Sequence, residues 1–167
     1  LHKALRQHAN ITVVGHAADP VRLYQSASVC VLPTLEDGFG LVVLEAMACG
    51  VPVILTENTG AKDCVRRNID GFILPPYQVE AVAETLSCCA RHRDQLAQMG
   101  RQARQQAEQM LQAFLERLRT FRVLDPACGS GNFLYLALQT LKDLEHQVML
   151  EAEQLGLQRG FPLVGPE

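Results

Sequence analysis

Over the first hundred residues, short apolar runs alternate with amphipathic stretches, and glycine, proline and acidic residues separate them. Ile11-Thr-Val-Val, Val29 to Leu32, Val51 to Thr56 and Phe72-Ile-Leu are brief and apolar, the pattern of strands buried on both faces. The spacing between them is helical. Asp19 followed by Pro20 opens a helix through Ala27. Leu41, Leu44, Glu45 and Ala48 stand three or four apart, with Gly50 where a left-handed cap belongs and Pro52 forbidding more helix. Leu1 to His8 reads as the tail of a helix. Thr59-Gly60-Ala61 leads into a short helix from Lys62 to Arg67, and Asp70-Gly71 is a turn. Val79 to Met99 carries a stripe of Val82, Leu86, Cys89, Ala90, Leu96 and Met99, which Gly100 is expected to end. Ala103, Ala107, Met110, Leu111, Phe114, Leu115 and Leu118 mark a second helix over Arg101 to Phe121, its Arg and Gln face solvated. A strand is predicted at Phe121 to Leu124 and a helix from Asn132.

The alternation of strand and helix predicts an α/β fold: a Rossmann-like parallel sheet with helices on both faces, incomplete at both ends. Residues 31–54 are its centre. After the strand ending at Pro33, Gly38 and Gly40 let the backbone turn tightly and approach a ligand. The helix from about Leu41 then presents free N–H donors and a partial positive charge at the carboxyl end of a parallel strand, a site for phosphate or diphosphate. A plain strand-helix unit with a flexible loop is the other reading of the same spacing. Glu57 and Asn58, at the end of their own strand, either face this pocket or lie in a solvated loop. His16 is read as a satisfied loop histidine rather than a catalytic group.

Composition narrows the class. At 167 residues the chain is one ordinary domain or two small ones, and 48% hydrophobic with 20% charged residues is a globular balance. A net charge of −3 gives no electrostatic footprint for nucleic acid. The six cysteines (Cys30, Cys49, Cys64, Cys88, Cys89 and Cys128) form no Cys-x-x-Cys, so free thiols in a reducing compartment are expected. No apolar run approaches the roughly 18 residues of a membrane span, and a signal peptide is not apparent. A soluble, cytoplasmic protein is the expectation.

Asp37-Gly-Phe-Gly followed by Glu45-Ala-Met-Ala-Cys-Gly-Val-Pro-Val resembles the donor-site signature of GT-B-type retaining glycosyltransferases of the large group 1 (family 4-like) kind. The signature there is an acid, seven residues, then Glu. Asp37 stands in the first position, where family members usually carry Glu, and Glu45 in the second. The resemblance runs from about Ile11 to Gly100 and includes the Thr59-Gly60-Ala61 turn. It implies that Asp37 and Glu45 are the catalytic acids. Asp37 and the backbone of Gly38, Phe39 and Gly40 would hold sugar hydroxyls, Leu41 and Val42 would offer amides to the diphosphate, and Glu45 would bind the nucleotide ribose. The partners implied are a nucleotide-sugar donor and an unknown acceptor, with no metal and no cofactor. Such enzymes place the acceptor on a separate N-terminal domain and supply an Arg and a Lys for the diphosphate from residues that would precede Leu1.

Arg122-Val-Leu-Asp125-Pro126-Ala127-Cys128-Gly129-Ser-Gly131-Asn-Phe133 resembles a second family, the class I methyltransferases, particularly DNA adenine methyltransferases of restriction-modification systems. In that family the loop wraps the amino-acid end of S-adenosylmethionine. The resemblance covers about Leu111 to Glu167 and implies cofactor contacts from Asp125, Pro126, Ala127, Cys128, Gly129, Gly131 and Phe133. The acid that holds the cofactor ribose is not matched, since Glu151 and Glu153 fall on a predicted helix. Pro75-Pro76-Tyr77 follows Leu74 rather than the Asn, Asp or Ser of a catalytic motif, and is read as a strand end leading into a helix. A complete methyltransferase is therefore not expected, and DNA is a partner only under this reading.

Two units are expected: residues 1–108 as a nucleotide-sugar-binding glycosyltransferase piece, and 109–167 as a methyltransferase-like cofactor-loop piece. They would be joined near 108–111 in a truncated, natural or engineered fusion. The second piece, with one strand, would bury little surface alone, so Phe121 to Leu124 is expected to add to an edge of the first sheet. Three functions stay open: a donor-binding part of a glycosyltransferase, not expected to be active alone; an S-adenosylmethionine-binding fragment; and a chimeric, non-catalytic α/β scaffold.

Overall fold

The computed structural model of the chain describes residues 9–127 and 129–157. The elements in order are α1 (Pro20–Ser26), β1 (Cys30–Leu32), α2 (Leu41–Ala48), β2 (Val53–Thr56), a 3-10 turn (Gly60–Cys64), β3 (Gly71–Leu74), α3 (Val79–Arg91), α4 (Arg93–Thr120) and α5 (Asn132–Gln154). The helix tail expected at Leu1 to His8 lies outside the described residues. β2 is central and parallel to both neighbours, with Val31 and Phe72 on either side of Ile54.

Alternation along each strand divides the core in two. Val53 and Leu55 of β2 face one cluster with Cys30, Leu32 and Ile73, while Ile54 faces another with Val31, Phe72 and Leu74. Val43, Ala46 and Met47 of α2, Tyr24 of α1 and Ala103 and Ala107 of α4 cover the first face. Cys89 of α3 and Leu96 of α4 cover the second. All four residues of β2 are buried, as a strand covered on both faces requires. The predicted α/β, Rossmann-like parallel sheet with helices on both faces is therefore the architecture observed.

Four predicted elements take another form. The short helix expected from Lys62 to Arg67 is a 3-10 turn over Gly60–Cys64, and Val65 is already extended. Ile11 to Val14 is not a strand; Ile11 and Val14 are exposed and make no ladder, without which an extended segment has no partner for its amides. The helix from Val79 breaks at His92, and the chain then continues as a single helix through Gly100 to Thr120. The break lets α4 leave the second face after Leu96 and reach the first at Ala103. Gly100 is buried in helix because a Cβ there would sit 2.3 Å from the carbonyl oxygen of Gly50. Phe121 to Leu124 is not a strand either, and it adds to no edge of the sheet. Leu124 is 87% exposed. The 28 residues of α4 carry the chain about 42 Å, and its last turns lie beyond the residues that pack on the sheet.

What returns to the core is the end of α5. Ala152 and Leu157 are buried in the first cluster, and Arg104 donates to the carbonyl of Gly156. Nearer the tip, Arg119 pairs with Glu145 at 3.2 Å, so α4 and α5 run antiparallel. Asp70, fully buried at the turn before β3, accepts from the Arg66 backbone at 3.0 Å and from its guanidinium at 2.6 and 2.8 Å.

Candidate functional site

Two loops meet at the carboxyl rim of the sheet, one after β1 and one after β2. Asn58 Nδ2 donates to the carbonyl of Leu35 at 2.8 Å, and the Asp37 N–H to that of Asn58 at 3.0 Å. Thr56, buried at the end of β2, donates its hydroxyl to the carbonyl of Thr34. Phe39 O accepts twice, from the Ala61 N–H at 2.7 Å and the Thr59 hydroxyl at 2.8 Å. Gly60 is pressed so close that a Cβ would come within 2.6 Å of Gly38 O. The glycine loop is thus tied at several points to the Thr59-Gly60-Ala61 turn, which answers the flexible-loop reading.

Asp37 Oδ1 accepts the N–H of Phe39 at 3.0 Å, a turn made by its own side chain. Gly40 then takes φ +79° as the N-cap of α2, a conformation side-chain-bearing residues rarely adopt. Leu41 and Val42 follow, 65% and 39% exposed. Their amides come too early to find a carbonyl within the helix. No side chain caps this helix and no acid stands in its first turn. Its partial positive charge therefore faces the rim without an internal anion to offset it.

Glu45 lies one turn further on, half-buried, and its Oε2 accepts the hydroxyl of Tyr24 from α1 at 2.7 Å. Burial, and then this bond to Glu45, hold the Tyr24 hydroxyl proton well above its usual range. Burial and the nearby Glu45 charge push up the Cys30 thiol. Cys49 is raised by burial and by Glu45, against an opposing pull from Arg104. On the Asp37 side the loops border an open cleft of about 490 Å³ lined by Glu36, Asp37, Glu57, Asn58, Thr59 and Lys62 among others. Glu57 and Asn58 therefore face the cleft. Lys62 Nζ donates to Glu57 O at 2.9 Å, and Arg67 pairs with the Glu57 carboxylate at 3.0 Å. The rim has two flanks: the acid-lined cleft on one, Glu45 with Tyr24 on the other, and the α2 amides between. His16 is exposed in its loop. Among the described residues no cluster of three or more His, Cys, Asp or Glu is placed to hold a metal. The five cysteines described are free.

The predicted second loop is not joined to this site. Asp125 Oδ1 accepts the N–H of Ala127 at 3.1 Å, and Gly129 and Gly131 take positive φ before α5. Pro126 is exposed and Phe133 is 60% exposed; Cys128 lies outside the described residues. Among the described residues no hydrogen bond or ion pair ties 121–127 or 129–133 to the sheet, and no strand underlies the loop. Glu151 and Glu153 are helical, as expected.

Sequence reasoning missed Tyr24. Its one available signal was a lone phenol on the inward side of a short helix, where a hydroxyl needs a partner.

Residues 1–106 match the family Glycosyl transferases group 1, and residues 101–161 match MmeI, DNA-methyltransferase domain. The chain is 42% identical over 82 residues to the capsular polysaccharide biosynthesis glycosyltransferase CapM of Staphylococcus aureus, covering 49% of this chain and 22% of CapM. It is 35% identical over 107 residues to a D-inositol 3-phosphate glycosyltransferase of Saccharomonospora viridis, covering 64% of this chain and 24% of that protein. The chain thus spans under a quarter of the length of these curated relatives. In fold it resembles Anabaena HepE, crystallised with UDP, at a TM-score of 0.63 and 24% identity over 72% of this chain and 36% of HepE. Sucrose-phosphate synthase from Thermosynechococcus elongatus gives a TM-score of 0.58 at 27% identity, covering 72% of this chain and 34% of that one. With the family matched across well over half its length and the same sheet in its structural neighbours, the chain belongs to the group 1 glycosyltransferases.

Proposed function

We propose that this chain supplies the donor side of a glycosyltransferase: it binds a nucleotide-diphosphate sugar for hexosyl transfer with retention of configuration. The observation that carries the reading is the start of α2. The amides of Leu41 and Val42 open the helix at the carboxyl rim, with no acid in its first turn and no capping side chain to satisfy them. A diphosphate seated there gains N–H donors and the helix dipole, and the same groups stabilise the charge that develops on it as the glycosidic bond breaks. No metal enters this account. Asp37, with one carboxylate oxygen engaged by Phe39, offers the other to sugar hydroxyls beside the backbone of Gly38 to Gly40. Glu45 takes the ribose. That HepE was solved with UDP supports a uridine nucleotide as the first probe. The acceptor and its binding surface belong to other parts of such an enzyme, so turnover by this chain alone is not proposed.

Thermal denaturation with UDP, GDP and ADP tests the reading. A ligand at one hundred times its Kd adds about 2.7 kcal/mol, a readily visible rise in Tm. Glu45→Ala should shrink the rise while leaving the protein folded. No rise with any of the three nucleotides overturns the proposal.

A second reading has one observation in its favour, the match of residues 101–161 to a DNA-methyltransferase domain. S-adenosylmethionine would then bind at Asp125 to Phe133, and DNA would be the partner. The lack of a strand beneath that loop weighs against it. S-adenosylhomocysteine in the same assay separates the two, since a rise in Tm with it alone would favour this second reading.

A further inference from the structure

Half of the Glu45 carboxylate is already engaged. Tyr24 donates to Oε2 at 2.7 Å, while its ring packs against the core cluster that holds Val43, Met47 and Leu55. The hydroxyl is therefore carried on a body whose place the core fixes. Oε1 receives no hydrogen bond from the described residues. Among those residues no side-chain nitrogen or oxygen sealed from solvent lacks a partner. Oε1 of this half-buried residue therefore opens to solvent. A glutamate held by one oxygen and free at the other is an oriented acceptor, with little rotamer freedom left to lose on binding.

We infer that Tyr24 is a positioning residue for donor binding: it fixes Glu45 so that a single oxygen, Oε1, meets the ribose hydroxyls. The inference rests on the donor reading above and adds which residue orients Glu45. With Oε2 already accepting from Tyr24, Oε1 is the oxygen left without a partner to meet the hydroxyls. Selectivity for ribose then depends on the angle Tyr24 sets. The Glu45 charge strengthens the bond, since a carboxylate is a better acceptor than a neutral group. The raised Tyr24 proton is consistent with a hydroxyl that donates throughout the physiological range.

The test is calorimetric titration of UDP, GDP and ADP, each beside its 2′,3′-dideoxy analogue. The proteins are the full chain, Tyr24→Phe, Glu45→Ala and the double variant. Tyr24→Phe keeps the ring and should weaken the ribonucleotide about tenfold or more, in line with loss of one hydrogen bond to a charged group. It should leave the dideoxy analogue unchanged and add nothing in the Glu45→Ala background. A merely structural role would weaken both nucleotides alike. Glu45→Asp, one methylene short of Tyr24, should show the same ribose-specific loss and serves if Tyr24→Phe fails to fold. Ribonucleotide affinity unchanged in Tyr24→Phe or Glu45→Asp overturns the positioning role while the donor reading stands. Wild-type protein that binds none of the three nucleotides overturns the donor reading, and this inference with it.

Discussion

Three protons crowd the inner flank of Glu45: the Tyr24 hydroxyl and the thiols of Cys30 and Cys49. All three are held above their ordinary values, with burial the first cause in each case and the Glu45 charge among the others. The folded state therefore keeps protons that the unfolded chain releases at about 9 for the thiols and 10 for the phenol. Stability from these groups is complete below those values and is lost as pH climbs through the folded ones, because there the native state binds more protons. The urea midpoint, measured under reducing conditions, should hold steady up to pH 8.5 and fall from about pH 9 upward. Glu45→Gln should flatten that fall, since it removes a cause common to all three. A midpoint that rises above pH 9, or a slope unaltered in Glu45→Gln, would contradict the arrangement. The same flank shows what one residue can hide. Glu45 stood out by its spacing to Asp37, but its partner Tyr24 did not, because the hydrogen bond spans 21 positions and joins two helices.

Among the elements, α4 departs furthest from what its pattern suggested, and Gly100 is the reason. In sequence a glycine after a helical stripe looks like a stop signal. In the fold it is the point where α4 passes over the Gly50 carbonyl, with no room for a Cβ. Gly100→Ala sets two effects against each other. Helix propensity favours alanine by about 1 kcal/mol. A Cβ 2.3 Å from a carbonyl oxygen is roughly 1 Å inside ordinary carbon–oxygen contact, and overpacking of this kind costs about 1–3 kcal/mol. The clash should offset or outweigh the gain, leaving the variant up to about 2 kcal/mol less stable in chemical denaturation. A variant more stable than wild type would mean that α4 does not seat on Gly50. Where an element's form was set locally, the sequence was a sound guide. Asp19 and Pro20 start α1, and Asp19 accepts the Arg22 N–H as a cap should. Gly40 starts α2, and Gly50 takes positive φ just past its end. Where form depends on a distant neighbour, spacing was silent. Ile11 to Val14 and Phe121 to Leu124 have strand-like composition, yet neither makes a ladder.

At the scale of the whole molecule the question is where the two matched families meet. The expected join at 108–111 falls in the middle of α4, which runs unbroken from Arg93 to Thr120. Ala103 and Ala107 before it are buried on the sheet, Leu111 packs against the same cluster, and Ala152 and Leu157 of the second region are buried there too. The join is thus covered by core from both sides. Among the described residues such cover is lacking over 121–127 and 129–131, where Phe121, Val123 and Leu124 are exposed between α4 and α5. Phe133, Tyr135, Leu136 and Leu138 continue that exposure into the first turns of α5. Cleavage follows local opening, and local opening follows sparse burial. Limited trypsin treatment should therefore cut at Arg122 before Arg117 or any basic residue from Arg101 to Arg104. The two products should co-elute on gel filtration, because the Ala152 to Leu157 end of α5 stays packed on the sheet and Arg104 holds the Gly156 carbonyl. Urea should part them. First cleavage at Arg104 or Arg117, releasing a stable N-terminal body, would show that the second region contributes nothing to the core.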